Sequence, residues 1–129
     1  IINSTQVPFF SDSYRLEVIF NSILSNVIKY RNPYKEKSEV LIQIICTPDH
    51  AVISFKDTGL GISENSLPNI FNMFYRASEK SDGAGLGLYM VKEFVEKLKG
   101  TVTITSTENE NTNVTLVLPN MRKEVLSEN

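Results

Sequence analysis

Ser22, Asn26 and Lys29 recur at intervals of four and three residues, and Tyr30 follows directly. On a helix that spacing stacks the first three on one side, with Tyr30 at the border of the apolar sector. An amide oxygen and an ammonium on one face could hold a metal ion and a phosphate; a solvated helix face has the same composition. Asn is a mediocre helix former, a small hint of a second purpose. The next constellation is an acid in an unexpected place. Along "AVISFKD", Ala51, Ile53, Phe55 and Asp57 fall on one face of a strand, and Val52, Ser54 and Lys56 on the other. A carboxylate on the face of Ile53 and Phe55 is costly to bury unless a donor reaches it. Gly59 and Gly61 follow and allow the backbone to pass close to a flat ligand. An adenine amino group is one candidate donor, and the backbone of a plain turn is the other. Third, "GAGLGL" at 83–88 places Gly83, Gly85 and Gly87 just ahead of a helical segment. Unpaired N–H groups and the positive dipole end of such a helix suit phosphate, although three alternating glycines also serve as a hinge.

Other chemistries lack their residues. A Rossmann fingerprint needs a strand before the glycines and an acid about twenty residues later, but "RASEKSD" precedes them and "ITSTE" lies near 105. No Gly-Lys-Ser/Thr of a phosphate-binding loop and no G-x-S-x-G occurs. His50, the single histidine, sits in the turn "TPDH" with no second His or clustered Cys, which argues against zinc and for a solvent-facing residue. Cys46 is the lone cysteine, lies in "VLIQIIC", and is expected to be a buried, inert thiol.

The elements that must position these residues follow from periodicity. Residues 12–31 carry apolar positions at 16, 19, 20, 23, 24, 27 and 28, which is helical spacing. Asp12 or Ser13 can cap the start, and Pro33 ends the helix near Tyr30 or Arg31. "EVLIQIIC" and "AVISFKD" flank "TPDH" as a hairpin. Residues 59–87 read as a long, partly helical connection, of the kind that is usually functional or disordered. Residues 86–99 return to helical spacing, with Gly100 as the stop. "TVTITS" and "NVTLVLP" form a second hairpin around "TENENT", where Asn can take a positive φ. The order, helix, two strands, long loop, helix, two strands, predicts an α+β fold: helices on one face of a mixed, mostly antiparallel sheet. Residues 1–119 form one domain, and 120–129 a polar tail or linker; no internal repeat is present.

With 129 residues, 41% hydrophobic and 22% charged, the chain suits a single soluble domain. A net charge of −2 with mixed signs offers no basic stripe for nucleic acid. No run approaches the roughly 18 apolar residues of a membrane span, and no charged leader precedes an apolar segment. The first residue is Ile, which suggests a piece excised from a longer protein.

Taken in order, "NSILSNVIKY", "DTGLGI", "IFNMFYR" and "GAGLGLYMVKEFVEKLKG" resemble the catalytic ATP-binding domain of bacterial sensor histidine kinases. That domain belongs to the wider group that includes DNA gyrase, Hsp90 and MutL. The resemblance runs from about residue 12 to 119, and "IFNMFYR" with "YMVKEFVEKLKGTV" favours the kinase branch. It implies a two-layer α/β sandwich (the Bergerat ATP-binding fold) with ATP and Mg²⁺ between helices and a flexible lid. Carried onto this chain, Asn26 would coordinate the Mg²⁺, Lys29 would contact phosphate and Tyr30 would lie against adenine. Asp57 would accept from the adenine amino group, with Gly59, Gly61 and Ile62 lining the base. Phe71, Phe74 and Arg76 belong to the lid block, the aromatics as anchors and Arg76 reaching toward phosphate or the partner domain. Gly83, Gly85 and Gly87, with Leu86 and Leu88, would form the lid hinge and the phosphate-facing helix start. Thr112 is what remains of a Gly-x-Gly-Thr pattern in the last hairpin.

The implied activity is an ATP-dependent protein-histidine kinase: in-line transfer of the γ-phosphoryl group to a histidine, where positioning and charge neutralisation do most of the work. Catalytic roles fall on Asn26, Lys29, Arg76 and Ser22. Ser22 replaces the family's usual Asn, Glu or Gln, Asn72 replaces its usual acid, and the lid "SEKSD" is short, which points to fast nucleotide exchange. The phosphoacceptor histidine has no match here, since His50 lies in a turn. The implied partners are ATP or ADP, the histidine-bearing dimerisation domain of the parent kinase and, indirectly, a response regulator. The isolated domain is expected to be monomeric and cytoplasmic, free or as the cytoplasmic part of a membrane-bound sensor, with no membrane contact of its own. The alternative is a catalytically weakened nucleotide-binding module of the same fold, motivated by Ser22.

Overall fold

In this computed structural model, residues 2–3, 7–73, 75 and 87–121 are described. Helix α1 (Ser13–Lys29) begins where the Asp12 carboxylate accepts the Arg15 N–H at 3.0 Å. The Arg15 guanidinium donates to the other Asp12 oxygen at 2.6 Å, and these contacts hold the Asp12 pKa below its ordinary value. The helix closes on Tyr30, whose N–H donates to Asn26 O at 3.0 Å. Helix α2 (Gly87–Lys97) buries Val91 and Val95. Its left-handed residue is Lys99, at φ 63°, where the glycine at 100 was expected to act as the stop.

Strands β1 (Ile2–Asn3), β2 (Val40–Cys46), β3 (His50–Asp57), β4 (Thr101–Thr107) and β5 (Asn111–Pro119) make one sheet in the order β1-β2-β3-β5-β4. β1 runs parallel to β2, and the other pairs are antiparallel, so the sheet is mixed and mostly antiparallel as expected. β5 inserts between β3 and β4, with Ile53 opposite Leu116 and Asp57 opposite Thr112. The alternation along β3 holds: Ala51, Ile53 and Phe55 are buried, while Lys56 is exposed. These residues meet Ile19 and Ile23 of α1, Val91 and Val95 of α2, and Leu116 and Leu118 of β5 in a single core.

Two boundaries differ from the sequence reading. His50 opens β3 instead of sitting in the turn, and its carbonyl accepts the Thr47 N–H at 2.8 Å; the side chain is exposed. The last hairpin is tighter, because β5 starts at Asn111 and Asn109 takes a φ of 66°. Cys46 is buried, as expected, and burial pushes its thiol pKa up.

Past Pro119 the chain remains bound to the domain. The Asn120 side chain accepts the Phe10 N–H at 2.9 Å and donates to Pro8 O and Thr47 O, each at 3.0 Å. The Met121 N–H donates to Phe10 O at 2.8 Å.

Candidate functional site

The Asp57 carboxylate lies at the end of β3, on the core side and partly buried. One oxygen, Oδ1, accepts the Gly59 N–H at 2.9 Å, an Asx-type turn. No other hydrogen bond to it occurs among the described residues, which leaves Oδ2 as an unused acceptor. The two donors weighed from the sequence are therefore not exclusive, since the turn takes one oxygen only. Burial pushes the Asp57 pKa up, while the Gly59 N–H and the charge of Lys35 act in the opposite direction.

The glycines after Asp57 dock its loop between two other elements. A Cβ on Gly59 would stand 2.7 Å from Tyr30 O, so only glycine permits this approach to the end of α1. The adjoining Leu60 N–H donates to the same carbonyl at 2.8 Å. Gly61 has φ 72°, and a Cβ there would collide with Thr107 O at the end of β4, where the turn to β5 begins. The Leu60 carbonyl accepts the Asn109 N–H from that turn. The loop thus ties the end of α1, the Asp57 turn and the β4–β5 turn together.

Asn26 lies one turn of α1 before Tyr30, whose N–H its carbonyl accepts. Its amide oxygen and nitrogen lie 3.8 and 3.9 Å from the position a Cβ on Gly87 would occupy, so Asn26 faces the first residue of α2. The Asn26 amide makes no hydrogen bond with the described residues and is half-buried, a group available to a ligand. Ser22 is half-buried one turn earlier, and Lys29 is exposed one turn later. No cluster of three His, Cys, Asp or Glu capable of holding a metal occurs among the described residues. A hard cation would therefore share the Asn26 oxygen with ligand phosphates and water, the way Mg²⁺ is usually held.

Ile62 and Thr112 are joined by a residue that the sequence reading passed over. Ser106 Oγ accepts the Ile62 N–H at 2.7 Å, donates to Asn111 O at 2.6 Å and stands 3.0 Å from Thr112 Oγ1. Thr112 in turn lies opposite Asp57. A signal existed, because the alternation of "TVTITS" puts Ser106 on the inward face of Val102 and Ile104, a polar residue at an apolar position just like Asp57. Lys35, in a plain polar loop, carried no such signal.

Of the lid block, Phe71 is half-buried, and the Lys92 ammonium of α2 lies over its ring, 5.8 Å from the centroid. Phe74, Arg76, Gly83, Gly85 and Leu86 lie outside the described residues. Leu88 is half-buried in the first turn of α2, next to the exposed Gly87.

A family profile described as "Histidine kinase-, DNA gyrase B-, and HSP90-like ATPase" matches residues 11–122. The autoinducer 2 sensor kinase/phosphatase LuxQ of Vibrio vulnificus is 32% identical over 100 residues, 73% of this chain and 12% of that protein. The solved mycobacterial sensor histidine kinase MprB superposes with a TM-score of 0.74 at 27% identity, covering 87% of this chain and 76% of that one. Full-length ShkA, solved with AMPPNP, gives 0.78 at 25% identity, covering 92% of this chain and 24% of that one. The chain spans only a small part of the length of the curated relatives it matches. With four motifs in order on a matching fold, this chain belongs to the histidine kinase-, DNA gyrase B- and HSP90-like ATPase family, as an ATP-binding catalytic domain of the sensor histidine kinase branch.

Proposed function

We propose that this domain binds ATP with Mg²⁺ and passes the γ-phosphoryl group to a histidine on the dimerisation domain of its parent kinase, upstream of a response regulator. The observation that supports the reading is the spare Asp57 acceptor, in a loop docked against the end of α1 and the β4–β5 turn. Asp57 Oδ2 accepts from the adenine amino group, and Gly59 and Gly61 keep the loop close enough for the base to lie against Tyr30 and Ile62. Asn26 offers its amide oxygen to the cation, Lys29 contacts phosphate, and the N–H groups at the start of α2, from Gly87 and Leu88, face the phosphates. Mg²⁺, when bound, neutralises charge on the phosphate oxygens. The bond from the γ-phosphorus to its bridging oxygen breaks as one from the acceptor imidazole nitrogen forms, leaving ADP. That chemistry requires a partner domain, since His50 sits at the far end of β3 from Asp57. ATP supply puts the domain in the cytoplasm, and no described helix is long and apolar enough to cross a membrane.

The test is to mix the chain with its parent dimerisation domain, ATP and Mg²⁺ and to assay for acid-labile phosphohistidine. The parent chain yields it, and Asn26→Ala abolishes it while ADP binding persists with reduced dependence on Mg²⁺. Absence of transfer by the parent chain overturns the proposal.

A further inference from the structure

Lys35 lies in the loop between α1 and β2, five residues beyond Tyr30. Its ammonium donates to Thr58 O at 3.0 Å and to Glu110 O at 2.8 Å. Thr58 is the residue directly after Asp57, and Glu110 belongs to the β4–β5 turn. One cation thus joins the post-helix loop, the Asp57 turn and the last hairpin. Glu39, at the other end of the same loop, grips Thr58 as well: the Glu39 N–H donates to Thr58 Oγ1 at 3.0 Å, and the Thr58 N–H donates to Glu39 O at 3.1 Å.

The charged and titratable groups on the elements around Asp57, Lys35 apart, are Lys29 and Tyr30 at the end of α1, Arg31, Tyr34, Glu36, Lys37 and Glu39 in the loop ahead of β2, Lys56 on β3, and Glu108 and Glu110 on the β4–β5 turn. Lys56 points to the opposite face of the sheet. Lys35 is the charged group that acts on the Asp57 carboxylate, against the burial that favours its neutral form.

We propose that Lys35 is a positioning residue for the adenine nucleotide, clamping the Asp57 turn onto the last hairpin and holding a fixed positive charge beside that turn. This rests on the reading of Asp57 as the base acceptor. Two carbonyls fix the ammonium, so its charge stays at a set place, and a protonated Asp57 would offer an adenine amino group a poorer acceptor. Lys35 itself reaches Thr58 and Glu110 and acts on the base through Asp57.

ADP affinity of the full 129-residue chain, measured by calorimetry from about pH 4.5 to about pH 8, tests this. The ratio of variant to parent cancels the titration of ADP itself. Lys35→Met is expected to weaken ADP binding at neutral pH about three- to tenfold and to move the acid limb of the profile to higher pH. Lys35→Gln keeps a donor without the charge and should move the acid limb alone, whereas Lys35→Arg should leave it in place. The carboxyl carbon NMR titration of Asp57 in the nucleotide-free chain reads the charge effect separately, with a higher midpoint in Lys35→Gln even where Lys35→Met folds poorly. An unchanged Asp57 midpoint together with an unchanged acid limb, while the parent binds ADP, overturns the role of Lys35. A parent chain that binds no ADP overturns the base-acceptor reading first, and this proposal with it.

Discussion

At Asp57 the demands of folding and of binding oppose each other. Its folded pKa is raised by burial above the unfolded value of about 4. Such a carboxyl group adds stability when protonated, fully below the unfolded value, and loses it as pH rises through the folded one. At neutral pH the ionised acid therefore weakens the fold, and it is retained where an acceptor is useful. Asp57→Asn keeps an oxygen for the Gly59 N–H but presents a donor where the base needs an acceptor. ADP affinity should fall by about 1 to 3 kcal/mol in calorimetry. The urea midpoint of the same variant should be no lower than that of the parent at neutral pH, and the gap should close as pH falls toward about 4. An ADP affinity equal to that of the parent would show that Asp57 serves the turn alone.

Among the elements, the last hairpin is what holds the loop after Asp57 in place. The Ser106 hydroxyl ties Ile62 to β5, and its removal strands the Ile62 N–H in a part-buried setting, while the Asn111 carbonyl it also binds is exposed. Ser106→Ala should cost about 1 to 3 kcal/mol in urea unfolding and weaken ADP binding without changing the fold seen by circular dichroism. Unaltered stability and affinity would mean that water replaces the hydroxyl at no cost. Helix α1 presents Ile19 and Ile23 to the core and Asn26 to α2, so its amphipathic face sets the depth at which the amide sits. Both helices and both hairpins were legible, because periods of 3.6 and 2 are local properties. β1 was not: its two residues are too few to show a period, and they join the sheet only through β2.

For the whole molecule, closure of the chain depends on Asn120, which binds the segment before α1 and the β2–β3 turn together. Asn120→Ala leaves the Phe10 N–H without its partner and, among the described residues, the Pro8 and Thr47 carbonyls with the Cys46 thiol alone. Stability should fall by about 1 to 3 kcal/mol, and the Phe10 amide should exchange with deuterium faster than amides in β3. Equal protection in variant and parent would show that the Met121 N–H to Phe10 O bond suffices. The two helices cover one face of the sheet, and both anomalous polar residues, Asp57 and Ser106, lie on that covered face at strand ends.

The sequence by itself determined both helices, both hairpins, their buried faces and the places of Asn26, Asp57, Gly59 and Gly61 on them, since caps, periodicity and glycine placement act over a few residues. It also carried Ser106 in plain view, as a break in an apolar alternation. Tertiary structure alone decided that β5 lies between β3 and β4, that Asn26 faces Gly87, and that Lys35 reaches two carbonyls 23 and 75 positions away. The reason is chemical: every residue carries a backbone carbonyl, so a side chain that binds one leaves no mark in the sequence of its partner.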